Sequence, residues 1–404
     1  MLVLFGWMNI YAACIDEEHN QIFDLGMKHG KQLLWIALGF VLIIGILFID
    51  SKTYEKFASL IYITSLLSLI CLFIFGKKIN GATSWYGFGS FSLQPSEFAK
   101  AATVLAMAKL ISDKQYDLKL LKNQIKAFIV IFLPAIFITL QPDPGSALIY
   151  TSFFFVLYRE GLPIYYIAIG VLAILLFILT LAFGFNSILL ATYGVLILFI
   201  FYVQFYRKIS LKFHWLKIIS LFLITGMFIF SVDYVYNNIF EQRHRDRFNI
   251  LLGKNHDTKG IGYNTNQSVL TIKSGGVSGK GFLQGDRTQG NFVPEQHTDY
   301  IFSTVGEEWG FIGSGLVVLV FTFFVLRIIQ LAERQKTIFS RVYGYGIASV
   351  FFFHYLINIG MVIGLFPTIG IPLPFFSYGG SGLWGFTVLL FIFIKLDSSK
   401  SYEL

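Results

Sequence analysis

Long runs of apolar residues, most of them without a polar face at helical spacing, alternate with short polar turns along this chain. A helix that is apolar all round is either buried or membrane-spanning, and about 20 residues rising 1.5 Å each cross the roughly 30 Å of bilayer hydrocarbon. The runs predict twelve helices, at residues 1–13, 33–49, 57–75, 95–111, 125–140, 146–157, 162–183, 188–206, 218–236, 300–326, 343–366 and 382–394. The first covers only about two thirds of a bilayer, which predicts a tilted, partly interfacial helix or a start further upstream. It lacks the positive flank and small-residue cleavage site of a secretory signal. One polar segment, residues 237–299, is too long for a turn and predicts a single large loop in an otherwise all-α membrane domain spanning residues 1–404.

Shorter breaks in the pattern carry Pro and Gly. QPDPGSA (141–147) interrupts one apolar run, and FPTIGIPLPFFSYGGSG (366–382) cannot continue a helix through its prolines and glycines. Non-helical backbone at membrane depth is tolerated only where protein or a wet cavity surrounds it, so both segments are expected to line a cavity. In QPSEFAK (94–100), Pro95 suits the first helical position and Glu97 the positive end of the helix dipole, which opens the fourth helix on the same side. SGGVSGKGFLQG (274–285), with apolar residues between its glycines, predicts a turn-rich, packed loop rather than disorder. Residues 77–97, 141–147, 237–299 and 366–382 are thereby expected to converge at one face, as in an active site fed from the bilayer.

Charge sets the orientation. Lys52 and Lys56, Lys114 to Lys126, Arg159, Arg207 to Lys217, Arg327 to Arg341, and Lys395 and Lys400 fall on one set of turns, while the short turns opposite hold only Lys28, Lys31, Lys77 and Lys78. The positive-inside rule makes the first set cytoplasmic and the 237–299 loop extracytoplasmic. With 55% hydrophobic and 13% charged residues and a mean hydropathy of +0.68, the 404-residue chain is a multi-pass membrane protein, which excludes a soluble enzyme. The net charge of +8 is assigned to cytoplasmic turns meeting anionic lipid, and no nucleic-acid partner is expected. Cys14 and Cys71 supply neither a disulfide framework nor zinc spacing.

Ionisable groups concentrate in NFVPEQHTDYIFSTVGEEWG (291–310), where His297 stands among Glu295, Asp299, Glu307 and Glu308. A charge at the bilayer centre costs roughly 2.5–3.5 kcal/mol, so this stretch is expected to face an aqueous cleft. Lys273, Lys280 and Arg287 nearby suit an anion. Glu97 and Lys100, three residues apart on one helix face, either form a simple ion pair or line the cavity.

Together these motifs resemble the SEDS family of peptidoglycan glycosyltransferases, which includes RodA and FtsW. The resemblance is carried, in the family's order and over most of the chain, by NGATSWYGFGSFSLQPSEFAK (80–100), QPDPGSA, GYNTNQS through SGGVSGKGF (262–282), FVPEQHTDYIFSTVGEEWG (292–310) and GIPLPFFSYGGSG (370–382). GKGF followed by Thr288 and Gln289, with the GIPLPFFSYGG ending, is closer to the RodA-like branch. The resemblance implies polymerisation of lipid II at the outer face of the bacterial inner (cytoplasmic) membrane, for cell elongation and rod shape. A sugar 4-hydroxyl attacks the anomeric carbon of a second lipid-linked disaccharide and undecaprenyl pyrophosphate leaves. Inversion of the α-linkage to β-1,4 fits one direct displacement with one general base.

The family's essential loop aspartate matches Asp257. Such a base needs a pKa above the ordinary value of about 3.9, which desolvation would raise and Lys254 and Lys259 would lower. The same resemblance implies that Glu97, Lys100, Asp143, Asp299, Glu308, Ser377 and Tyr378 lie at the cavity and that Lys280 and Arg287 meet pyrophosphate. His297 is either a proton relay or a satisfied boundary histidine. Departure of pyrophosphate is assisted by Lys and Arg or by a divalent cation, Mg²⁺ or Mn²⁺, for which Asp143 and Asp299 are the candidate ligands. The implied partners are a class B penicillin-binding protein transpeptidase and other membrane proteins of the elongation complex.

Two departures from the family matter. Ser84 precedes Trp85 where the family often has Arg, which leaves Lys77 or Lys78 to supply a cation there. Family members typically have seven spans before the loop, whereas nine runs precede it here, so a helical hairpin inserted within 162–217 is expected. An even insertion keeps the loop outside. A lipid II flippase or other transporter, a division protein of the FtsW type and a non-enzymatic scaffold are the alternatives. Glycan made from lipid II without nucleotide or ion gradient, and its dependence on Asp257, separates them.

Overall fold

The computed structural model describes residues 1–15, 21–79, 81–89, 91–206, 215–240, 242–254 and 262–399. All twelve apolar runs are helical. They correspond to α1 (Leu2–Cys14), α2 (Lys28–Phe48), α3 (Ser51–Phe75), α4 (Pro95–Ile111), α5 (Leu121–Leu140), a broken segment of α6 (Pro144–Leu148), a 3₁₀ turn (Ile149–Ser152) and α7 (Phe153–Arg159), then α8 (Tyr165–Phe183), α9 (Phe185–Phe205) and α10 (Trp215–Tyr234) with a π turn (Val235–Ile239). The loop region contributes α11 (Gln242–Leu251), α12 (Tyr263–Ser274) and the short α13 (Asp286–Gln289). The chain closes with α14 (Ile301–Glu308), α15 (Gly310–Glu333), α16 (Ile338–Val362) and α17 (Gly380–Ser399). Nine helices among the described residues are long and apolar enough to cross a bilayer. The other three expected runs are the 13-residue α1, the 17-residue α4 and the broken α6–α7 segment.

The chain forms two compact units, Met1–Pro163 with Asn264–Leu404, and Ile164–Tyr263. The second contains α8 to α11, and the expected hairpin at 162–217 falls largely within it. Its core is Leu176, Ile188 and Ile229, with the Tyr193 hydroxyl donating to the Phe222 carbonyl.

In the first unit α4 is the central helix. All its residues except Phe98, Lys109 and Leu110 are buried, because its alanines let neighbouring backbones come close. Glycines do the same from the other side: a Cβ at Gly346 would lie 2.4 Å from Val104, and one at Gly385 2.9 Å from Glu97. At the far ends of the helices, Arg341 grips Glu160 through two bonds, Arg334 pairs with Asp397, and Arg159 pairs with Glu333.

Besides α11 to α13 within the expected loop, two further features were not foreseen. Residues 77–93 form a small antiparallel sheet, β1 (Lys77–Ile79), β2 (Ala82–Phe88) and β3 (Phe91–Leu93), in which Tyr86 faces Leu93. The helix expected at 300–326 breaks at Gly310, whose φ of +66° suits glycine. There the carbonyls of Gly276 and Val277 accept from the N–H groups of Phe311 and Ile312, so the glycine-rich loop caps the first turn of α15.

Candidate active site

Residues 77–97, 141–147 and 366–382 meet residues 264–299 of the long loop in the first unit. The Ser381 hydroxyl donates to the Ser92 carbonyl and accepts from the Gln94 N–H, which joins the strand region to the start of α17. The Gln94 side-chain amide donates to Asp143, which also caps α6 through the Ser146 N–H and hydroxyl. Gly145 lies against the re-entrant segment 366–382, where a Cβ would come within 2.8 Å of the Ile369 carbonyl. From the loop, Thr265 bonds the hydroxyls of Tyr300 and Thr368, and those two bond each other at 2.8 Å. Beneath them Tyr300, Val305, Phe321, Met361, Leu373 and Phe376 form one apolar core with Ile10 of α1.

Deeper in, Glu97 and Lys100 are 3% and 0% exposed. The Lys100 ammonium donates to both Glu97 oxygens at 2.9 Å and, at the same distance, meets Nε2 of His354 from α16. The Phe386 ring lies 5.2 Å from the ammonium. The opening turn of α4 therefore supplies both members of the pair, as their i, i+3 spacing allows.

At the outer rim, the Ser377 hydroxyl donates to the Thr298 carbonyl and accepts from the Leu373 N–H, while the Tyr378 N–H donates to the His297 carbonyl. Asn358 donates to the carbonyls of Asp299 and Ile371. Lys28 of α2 donates to Nε2 of His297 at 2.8 Å. Burial and then the Lys28 charge lower the His297 pKa to about 4, with Glu295 opposing, so His297 is neutral at physiological pH and accepts rather than attracts anions.

The loop cations divide into two kinds. Lys280 is held by Glu307 at 2.7 Å and Asp286 at 3.1 Å, and those bonds raise its pKa. Glu307, fully buried, also accepts from the Ser274 hydroxyl, the Arg287 N–H, and the Thr288 N–H and hydroxyl. Burial alone would raise its pKa, but Lys280 and these donors outweigh it and hold the carboxyl below its ordinary value. Among the described residues no carboxylate meets the Arg287 guanidinium: it donates to Thr271 and to Gln267 and lies 4.8 Å from the Phe292 ring, which leaves N–H groups for an anion. Glu308 is 1% exposed and packs inside the loop, accepting from the Leu283 N–H. Burial raises its pKa to about 7 against that bond, and the Glu307 charge adds to the rise.

Asp257, Lys259 and their immediate neighbours lie outside the described residues. Among the described residues no group of three or more His, Cys, Asp or Glu could hold a metal ion, and the Asp143 oxygens are engaged by Gln94 and Ser146. Sequence reasoning missed His354, Asn358 and Lys28. An ionisable residue inside the apolar α16 was the available signal for His354.

A family model described as cell cycle protein, for FtsW, RodA and SpoVE, matches residues 1–201 and 186–402. The chain is 32% identical over 403 residues to the peptidoglycan glycosyltransferase RodA of Treponema pallidum, covering 95% of this chain and 92% of that protein. It is 32% identical over 384 residues to the peptidoglycan glycosyltransferase MrdB of Escherichia coli K12, covering 95% and 88%. Its fold matches a chain from a peptidoglycan synthase complex that coordinates polymerization and crosslinking, with a TM-score of 0.72 at 23% identity over 99% of this chain and 95% of that one.

Proposed function

The chain belongs to the FtsW, RodA and SpoVE family of cell cycle proteins, and from that premise we propose that it is a peptidoglycan glycosyltransferase that polymerises lipid II for cell elongation. The observation that carries this reading is the meeting of residues 77–97, 141–147, 264–299 and 366–382 at one end of the helices, because a lipid-linked sugar needs a polar site open to both bilayer and water. In this reading the site faces outward from the inner membrane, which the distribution of Lys and Arg supports.

In this reading Asp257 takes the proton from the acceptor's 4-hydroxyl as the oxygen attacks the anomeric carbon of the donor. The bond to undecaprenyl pyrophosphate breaks on the opposite face, and the configuration inverts. Arg287 is the loop cation suited to the departing pyrophosphate, since Gln267, Thr271 and Phe292 fix its plane and Lys280 is already neutralised by two carboxylates. A class B penicillin-binding protein beside it would crosslink the strand.

The test is the purified protein in lipid vesicles given lipid II alone, with and without EDTA. Glycan strands from the wild type and none from Asp257→Asn are expected. Translocated but unpolymerised lipid II would favour a transporter, and full growth support by a folded, correctly localised Asp257→Asn would favour a scaffold.

A further inference from the structure

The Lys100 ammonium has three N–H donors, and Glu97 Oε1, Glu97 Oε2 and His354 Nε2 take all three. Because Nε2 accepts from an ammonium, the ring proton sits on Nδ1, and Nδ1 donates to the Pro372 carbonyl at 3.2 Å. That carbonyl belongs to non-helical backbone among apolar helices, where an unmet acceptor is costly. One turn further along α16, Asn358 donates to the Ile371 carbonyl. One face of α16 thus holds two consecutive carbonyls of the re-entrant segment. His354, 1% exposed and meeting the Phe386 ring edge-on at 4.8 Å, holds α4 as well.

We propose that His354 is a positioning residue that ties the Glu97–Lys100 pair to the re-entrant segment through Pro372, and that this enclosed pair acts as a latch behind the site rather than as a contact for the substrate's phosphates. The proposal rests on the glycosyltransferase reading for its catalytic consequence only. The segment fixed at Pro372 carries Ser377 and Tyr378, which bond the carbonyls of Thr298 and His297 at the rim, so a shift at Pro372 is transmitted to the rim. Lys100 keeps no donor for a pyrophosphate while the latch is closed.

Two substitutions separate the two bonds. The amide of His354→Asn sits near the position of ring Nδ1 and keeps only the Pro372 bond, whereas that of His354→Gln sits near Nε2 and keeps only the Lys100 bond. Both are compared with wild type in lipid vesicles for polymerisation of lipid II, and by hydrogen–deuterium exchange over residues 366–380. Each should lower kcat roughly tenfold, with KM for lipid II unchanged within about twofold. Exchange over 366–380 should quicken in His354→Gln and stay at the wild-type rate in His354→Asn.

A wild-type kcat in His354→Gln overturns the tie to Pro372, and one in His354→Asn overturns the tie to Lys100. A raised KM at constant kcat in either variant means substrate contact and overturns the latch. If the wild type makes no glycan, the glycosyltransferase reading falls, while exchange, which needs no turnover, still decides the role of His354. If one variant does not purify, exchange in the other decides alone.

Discussion

Removing Lys100 while leaving Glu97 is the sharpest perturbation the fold offers. Both side chains are excluded from solvent, and the Lys100→Met change takes away the ammonium that donates to both Glu97 oxygens. Breaking a buried pair by deleting one member costs about 3–5 kcal/mol, because the remaining charge stays buried without compensation. At about 2 °C per kcal/mol, the lower end for larger domains, the midpoint should fall by roughly 6–10 °C. Replacing both members, as Glu97→Gln with Lys100→Met, removes the stranded charge and should recover most of that loss. The assay is thermal unfolding in detergent by intrinsic fluorescence at one fixed scan rate, since membrane-protein melting is commonly irreversible. A single variant melting within about 2 °C of wild type, or a double variant melting below the single one, would refute the argument that the pair is enclosed and mutually dependent.

Asp257→Asn should lower polymerisation by about 10² to 10⁴-fold while leaving chromatographic behaviour and melting unchanged, measured with lipid II in vesicles. Arg287→Ala should raise KM for lipid II about tenfold, with partial recovery by Lys, because Lys brings the charge without the planar fork held by Gln267 and Thr271. Glu308 binds its proton more tightly in the folded state, with a pKa of about 7, than its ordinary value of 4.5, so stability falls as pH rises between those values and then levels off. Glu308→Gln should therefore melt higher than wild type at pH 8, by an amount on the order of 2 kcal/mol after screening, and match it near pH 4.5. Gly145→Val should abolish activity and lower the yield of folded protein, since its side chain would enter the space of the Ile369 carbonyl.

Much of this fold was legible because lipid imposes simple rules. Apolar length marked the helical runs outside residues 237–299, though not α11 to α13 within them, and Pro and Gly within QPDPGSA and GIPLPFFSYGG marked where long helices are interrupted. Glu97 and Lys100 were readable as partners from spacing alone. What spacing cannot supply is pairing across the bundle. His354 stands 254 positions from Lys100 and Lys28 stands 269 from His297, and only the packing of α2, α4 and α16 brings them together. The break at Gly310 was hidden for a related reason: the run continues in composition, and the kink is made by a glycine-rich stretch earlier in the chain. Lys280 and Arg287 looked alike in sequence. Glu307 takes the Lys280 ammonium, while the Arg287 guanidinium turns to Thr271, a difference set by which loop turn faces α14.

Glu307 gathers donors from Ser274, Lys280, Arg287 and Thr288, all of which precede it in the chain. During biosynthesis, the stretch from 274 to 288 leaves the ribosome before its acidic anchor does. The separation of 33 residues between Ser274 and Glu307 corresponds to about 2–7 s of translation at roughly 5–20 residues per second. Throughout that interval the segment lacks the buried Glu307 carboxylate around which it folds, and its shape is sealed only when the next helix arrives. Insertion machinery or a chaperone would find this stretch open at that stage of synthesis and closed afterwards.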